Sequence, residues 1–195
     1  MRSVLAVLAL IVGLSIASLT PAAQAEEARA AQKTYMAKIQ EGIAQVRSEA
    51  YDQALSTFRE AKEAEPQRAE AIYYEAVTLR LKGEEEAALE AFRRARVISK
   101  QAGNARMEAR SLQGAAQILE RHPESLDEAR TTWLELAALL REHPNAGVAA
   151  VPAARIEAID HLAKANANAA ITKKRVAERE EELRQEEAKK AKKKR

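Results

Sequence analysis

Four residues of one segment return unchanged 34 positions later, and that period limits the fold more than any other feature of the chain. Ala54, Leu55, Phe58 and Ala61 become Ala88, Leu89, Phe92 and Ala95, and upstream Gly42 and Ala76 share the same offset. A fixed period of this length marks a supersecondary unit that cannot bury its apolar face alone and must stack on its neighbours. Within each copy the apolar residues fall three and four apart, the spacing of one helical face. Composition agrees with helices throughout. Hydrophobic residues make up 47% of the 195 but aromatics only 4%, so the apolar content is mostly Ala and Leu, which favour helix over strand. Only 6 Gly and 5 Pro interrupt it. The expected class is all-α, and all-β or doubly wound α/β architectures are disfavoured.

The spacing predicts helices over 29–47 and 51–63 in the first copy, and over 67–82 and 85–98 in the second. Lys82-Gly83 reads as a helix end, with glycine just past the last turn and a cation at the negative end of the dipole. A third copy is altered. Ala109, Leu112, Ala116 and Leu119 share one face of a first helix, and Ala129, Trp133 and Leu136 repeat the pattern in a second, with Trp for Phe and Leu for Ala. Arg121 to Ser125 lengthens the turn between them. After His143-Pro144 and a loop to Val151-Pro152, Ile156, Ile159, Leu162 and Ala163 form an apolar stripe suited to a helix that caps the last exposed face. Beyond Ala170 the stripe thins to Ile171, Val176 and Leu183 amid charge, which predicts a solvated helix fraying into a disordered Lys-rich end.

From Met36 to Arg141 the 34-residue period, the small residue in each first helix and the Ala, Phe, Ala slots of each second helix resemble the tetratricopeptide repeat, with Pro66 where that family places its closing proline. The resemblance implies a right-handed α-solenoid of about three helix pairs, ended here by the capping helix. It also implies that the first helix of each pair lines a concave surface that takes up a peptide or helix of a partner protein. Carried onto this chain, the inner-face candidates are Met36, Ile39, Ile43 and Val46, then Tyr73, Val77 and Arg80, then Ser111 and Ala115. For Ile43 and Val77 the alternative is simple packing between repeats. Tyr73 and Arg80, seven apart on one face, are residue types enriched at interface hot spots. The Lys and Asn cluster with which some members hold a carboxyl terminus does not occur at these positions.

The ends of the chain read differently. Arg2, the apolar run from Val4 to Ile16, Thr20-Pro21 and Ala23-Gln24-Ala25 have the order of a secretory signal peptide cleaved after Ala25, and a bacterial periplasmic location is the expectation. The alternative is an uncleaved anchor over residues 4–20. With no cysteine there is no acylation site, no disulfide, no thiolate nucleophile and no cysteine zinc site. Expected divisions are 1–25, a repeat domain over 26–141, a linker and capping helix over 142–170, and a charged tail over 171–195. From Lys173 to Arg195 eleven Lys or Arg face six Glu, a local charge of +5. Lys189 to Arg195 could contact an anionic envelope surface, dock on an acidic protein, or simply be solvated. Export argues against a nucleic-acid partner.

No constellation for catalysis is legible. His122 and His143 each precede a proline in a turn and His161 lies on the capping helix, outside any metal motif, and there is neither a glycine-rich phosphate loop nor a G-x-S-x-G elbow. The expectation is a non-catalytic scaffold or adaptor without a cofactor, the alternative a membrane-associated structural subunit of an envelope assembly.

Overall fold

The computed structural model describes residues 21–147 and 151–193, and among these the chain is all-helical, with seven α-helices and no strand. They are α1 (Pro21–Arg47), α2 (Tyr51–Ala64), α3 (Ala69–Lys82), α4 (Glu85–Gln101), α5 (Ala105–Leu119), α6 (Leu126–Glu142) and α7 (Pro152–Lys193). Single 3-10 turns at Pro123–Ser125 and Pro144–Ala146 precede the last two. Each helix packs on the next in sequence, and α3 touches α1 and α5 as well.

The helix ends follow from local chemistry. Gly83 adopts φ +83°, a left-handed conformation that only glycine takes cheaply, and closes α3 with its N–H on the Arg80 carbonyl. Asn104 starts α5, its side chain accepting a hydrogen bond from the Met107 N–H at 3.1 Å. At α3 the residue before the helix, Arg68, provides no side-chain cap. A tyrosine from another helix substitutes: the Ala71 N–H donates to the Tyr35 hydroxyl at 3.1 Å, and that hydroxyl donates in turn to Glu70 at 3.4 Å. Burial pushes the Tyr35 phenol up to about 12.

Three clusters form the core, each spanning consecutive helices. Tyr35, Ile39, Phe58, Ala61 and Ala71 join α1, α2 and α3; Ile72, Ala76, Ala88, Phe92 and Ile118 join α3, α4 and α5; Leu112, Leu119, Trp133, Leu136 and Ile159 join α5, α6 and α7. Phe58, Phe92 and Trp133 are all buried, and each such ring stabilises the fold by roughly 1.5 to 3 kcal/mol through burial alone. The small residues make room for them. A Cβ built on Gly42 would sit 2.4 Å from the Phe58 ring, and one on Gly114 would sit 2.5 Å from the Phe92 ring.

Three expectations need correction. Helix α1 begins at Pro21, well before Arg29, because the Ala- and Glu-rich stretch that follows contains no breaker. Helix α7 continues past Ala170 as the expected solvated helix, but it runs on through the Lys-rich end: from Pro152 onward there is no Gly or further Pro, and pairs such as Lys174–Glu178 and Glu180–Arg184 support it to Lys193. The capping stripe is also shorter than expected. Ile159 is buried and Ile156 half-buried, but Leu162 and Ala163 are exposed, as is every residue from His161 to Lys190. Polar contacts add to Ile159 at the docked end. Glu120 accepts from the Trp133 indole at 3.1 Å and pairs with Arg155, and Arg130 meets Asp160 at 2.7 Å. The expected leader, or anchor, falls on residues 1–20, outside the described residues, and positions 21–25 form the start of α1. No helix of the described residues is long and apolar enough to cross a membrane.

Candidate partner-binding surface

The residues expected on the inner face divide by burial. Met36 is exposed on α1, and Tyr73, Val77 and Arg80 are half-buried on α3. Ile43 and Val46 are half-buried against the Phe58 cluster, and Tyr73 and Val77 against the Phe92 cluster. Three candidates are core residues instead. Ile39 is packed between Tyr35 and the α2 residues Phe58 and Ala61. Ser111 is fully buried, its hydroxyl donating to the Met107 carbonyl at 2.9 Å, and Ala115 is 6% exposed. The reason is the position of α5: with α3, α4 and α6 all packed on it, it buries ten of its fifteen residues.

Around Tyr73 the structure brings together side chains that periodicity did not single out. Its ring meets Tyr74 and Phe92 edge-on, at 5.2 and 5.7 Å between centroids. Arg80 lies over Phe92, 5.9 Å from the ring centroid, and donates to the Gln117 side-chain oxygen at 2.8 Å, which ties α3 to α5. Burial raises the Tyr73 phenol above its usual value, while the charges of Arg110 and Arg80 pull the other way. The phenol is therefore neutral at physiological pH and free to donate.

The charges show what is unusual here. The other half-buried cations of the body each meet an acid: Lys38 meets Glu60, Lys62 meets Glu75, Arg68 meets Glu70, Arg96 meets Glu135 and Arg130 meets Asp160. Arg80 and Arg110 are equally half-buried and have no carboxylate partner among the described residues. Arg80 is met by a neutral amide and by the face of Phe92, and Arg110 makes no hydrogen bond or ion pair. Two guanidinium groups flanking a phenol can receive a carboxylate in bidentate fashion.

The histidines take ordinary places. His122 lies 2.9 Å from Glu85, His161 lies 3.7 Å from Glu157 on its own helix, and His143 follows α6. Among the described residues no group of His, Asp or Glu side chains is arranged to hold a metal ion. No protein-family model and no curated protein matches the chain, so the functional reading rests on its own residues.

Proposed function

We propose that the chain is a non-catalytic adaptor of the cell envelope, built as a tetratricopeptide-like right-handed solenoid from the pairs α1/α2, α3/α4 and α5/α6, with α7 as its cap. Its binding surface is the face shared by α3 and α5, and its partner is a protein segment carrying acidic side chains. The architecture is supported by the 34-residue period, by the contacts of α3 with both α1 and α5, and by the small residues set against Phe58 and Phe92. The partner chemistry rests on a single observation: Arg80 and Arg110 are half-buried beside Tyr73 without an acid of their own. A half-buried guanidinium group without a counter-charge is placed to gain from a ligand that supplies one.

The test is crosslinking capture from intact cells with the full chain, with Tyr73→Ala/Arg80→Ala/Arg110→Ala, and with a version ending at Thr172. Loss of one defined partner in the triple variant and its retention by the truncation supports the reading. Rebinding of that partner in vitro must then fail when its acidic residues are neutralised.

A second reading has its own observation. From His161 to Lys190 helix α7 is exposed on every side and leads into the Lys-rich end, which suits a basic arm that tethers a structural subunit to an anionic envelope surface. Capture that follows the truncation and ignores the triple variant would establish this reading in place of the first.

A further inference from the structure

A carboxylate with little access to solvent is costly to leave without a donor. Four acidic residues that are largely covered respect this. Glu70 is met by Tyr35 and Arg68, Glu75 by Lys62, Glu85 by Arg121 and His122, and Glu120 by Trp133 and Arg155.

Glu108 breaks the pattern. At 9% exposure it is the one acidic residue in the buried set, and its carboxylate has neither a hydrogen bond nor an ion pair among the described residues. Its oxygens are not sealed in protein, since no fully enclosed polar atom lacks a partner. Glu108 lines a cavity of about 460 Å³ between the C-terminal ends of α4 and α6 and the start of α5. Glu108 stands in the first turn of α5.

The rest of the cavity explains what could meet that charge. Leu112, Ala138 and Leu139 give an apolar wall, and Glu142 and His143 stand at the end of α6, where helix carbonyls add negative potential. Of the cations at the rim, Arg96 is taken by Glu135 at 2.9 Å, and Lys100 is exposed and unpaired.

The geometry points to a binding site for an alkylammonium group, with its charged nitrogen on Glu108 and its methylene chain along Leu112 and Leu139. Glu142 at the mouth favours a second positive charge at the far end. The volume is that of a small-ligand pocket. Both a free diamine and a lysine side chain present an alkylammonium group, the diamine alone adding the second charge, and the site shares no residue with the Arg80–Arg110 surface.

Calorimetric titration of the full chain with 1,5-diaminopentane and, separately, with N-acetyl-lysine amide tests the assignment, with 1,5-pentanediol as the uncharged control. Saturable binding of at least one amine is expected and none of the diol. Glu108→Gln, which keeps the side-chain volume, is expected to weaken binding by at least about tenfold, the scale of one charge-assisted hydrogen bond. Tighter binding of the diamine identifies a free amine as the ligand, and tighter binding of the lysine amide identifies a protein lysine. The Arg80→Ala/Arg110→Ala variant is expected to bind the amines as the wild type does. The assignment is overturned if neither amine saturates or if Glu108→Gln binds like the wild type. It is equally overturned if the amines bind only once Lys100→Ala has been made, since Lys100 would then be the group that occupies Glu108.

Discussion

Substituting Gly114 by alanine reverses the usual effect of that change. In an open helix interior Gly→Ala stabilises by about 1 kcal/mol, because alanine loses less backbone entropy. At Gly114 the new methyl would lie 2.5 Å from both Cε1 and Cζ of Phe92, where ordinary contact begins near 3.4 Å. The ring must therefore retreat by about 1 Å. It has no free direction to take, being 1% exposed, with the Tyr73 ring against it, the Arg80 guanidinium over it and Ala88 and Ala91 in the same cluster. Overpacking of this kind costs roughly 1 to 3 kcal/mol. After the helical gain, Gly114→Ala is expected to lose about 0 to 2 kcal/mol. The decisive quantity is the coupling. In a Phe92→Leu background the clash is gone, and Gly114→Ala is expected to stabilise by up to about 1 kcal/mol. Urea denaturation of the four proteins at one pH, followed by the far-ultraviolet signal, gives the cycle directly. A stabilising Gly114→Ala in the wild-type background, or the same effect in both backgrounds, would refute the packing described here.

Ala88→Leu, at a fully buried alanine where α3 meets α4, is expected to cost about 1 to 3 kcal/mol in the same assay. Tyr35→Phe keeps the ring but strands the Ala71 N–H, and is expected to cost about 1 kcal/mol. Because the folded-state Tyr35 phenol is raised to about 12 from an ordinary value of 10.0, its contribution is complete below pH 10 and lost as pH rises toward 12. Absorbance titration at high pH is accordingly expected to show a late-ionising tyrosine that disappears in Tyr35→Phe. Asp160 is held below the usual carboxylate value by its hydrogen bond from Arg130, so its contribution is present above about pH 4 and lost as pH falls below that. Wild type and Asp160→Asn are therefore expected to differ in stability at neutral pH and to converge in acid.

The parts of the fold legible from sequence are those governed by local rules. Apolar spacing found α2, α3 and the start of α4 to within two residues, and the alanines and phenylalanines of the 34-residue period are core residues. The apolar face of α5 was legible too, with Ala109, Leu112, Ala116 and Leu119 all buried. Where sequence reading stopped short, the deciding partner was distant. Tyr35 caps a helix that starts 34 residues later, and Glu120 connects α5 to Trp133 and Arg155. Thinning hydrophobicity after Ala170 predicts a solvated helix that ends in a disordered Lys-rich segment, whereas an uninterrupted run of good helix formers with paired charges carries the helix to Lys193 without any core to rest on.

Tyr73 and Arg80 were within reach of helical spacing, but Arg110 escaped it for a related reason. Residues that pack must recur, because each copy meets the same neighbour; residues that recognise a partner have no such constraint. Advancing Tyr73 by the period reaches Met107, which is buried, and advancing Arg80 reaches Gly114, which accommodates Phe92. Retreating Arg110 by the same step reaches Ala76, also buried. The repeat therefore carried Val77 onto Ser111, a core position, and passed over Arg110. What marks Arg80, Arg110 and Glu108 is a mismatch between burial and charge pairing, in a body whose other half-buried charges are mostly partnered internally. Since desolvating a charge without a partner is among the costlier things a fold can do, these three are where a partner or ligand would return the most binding energy for each contact formed.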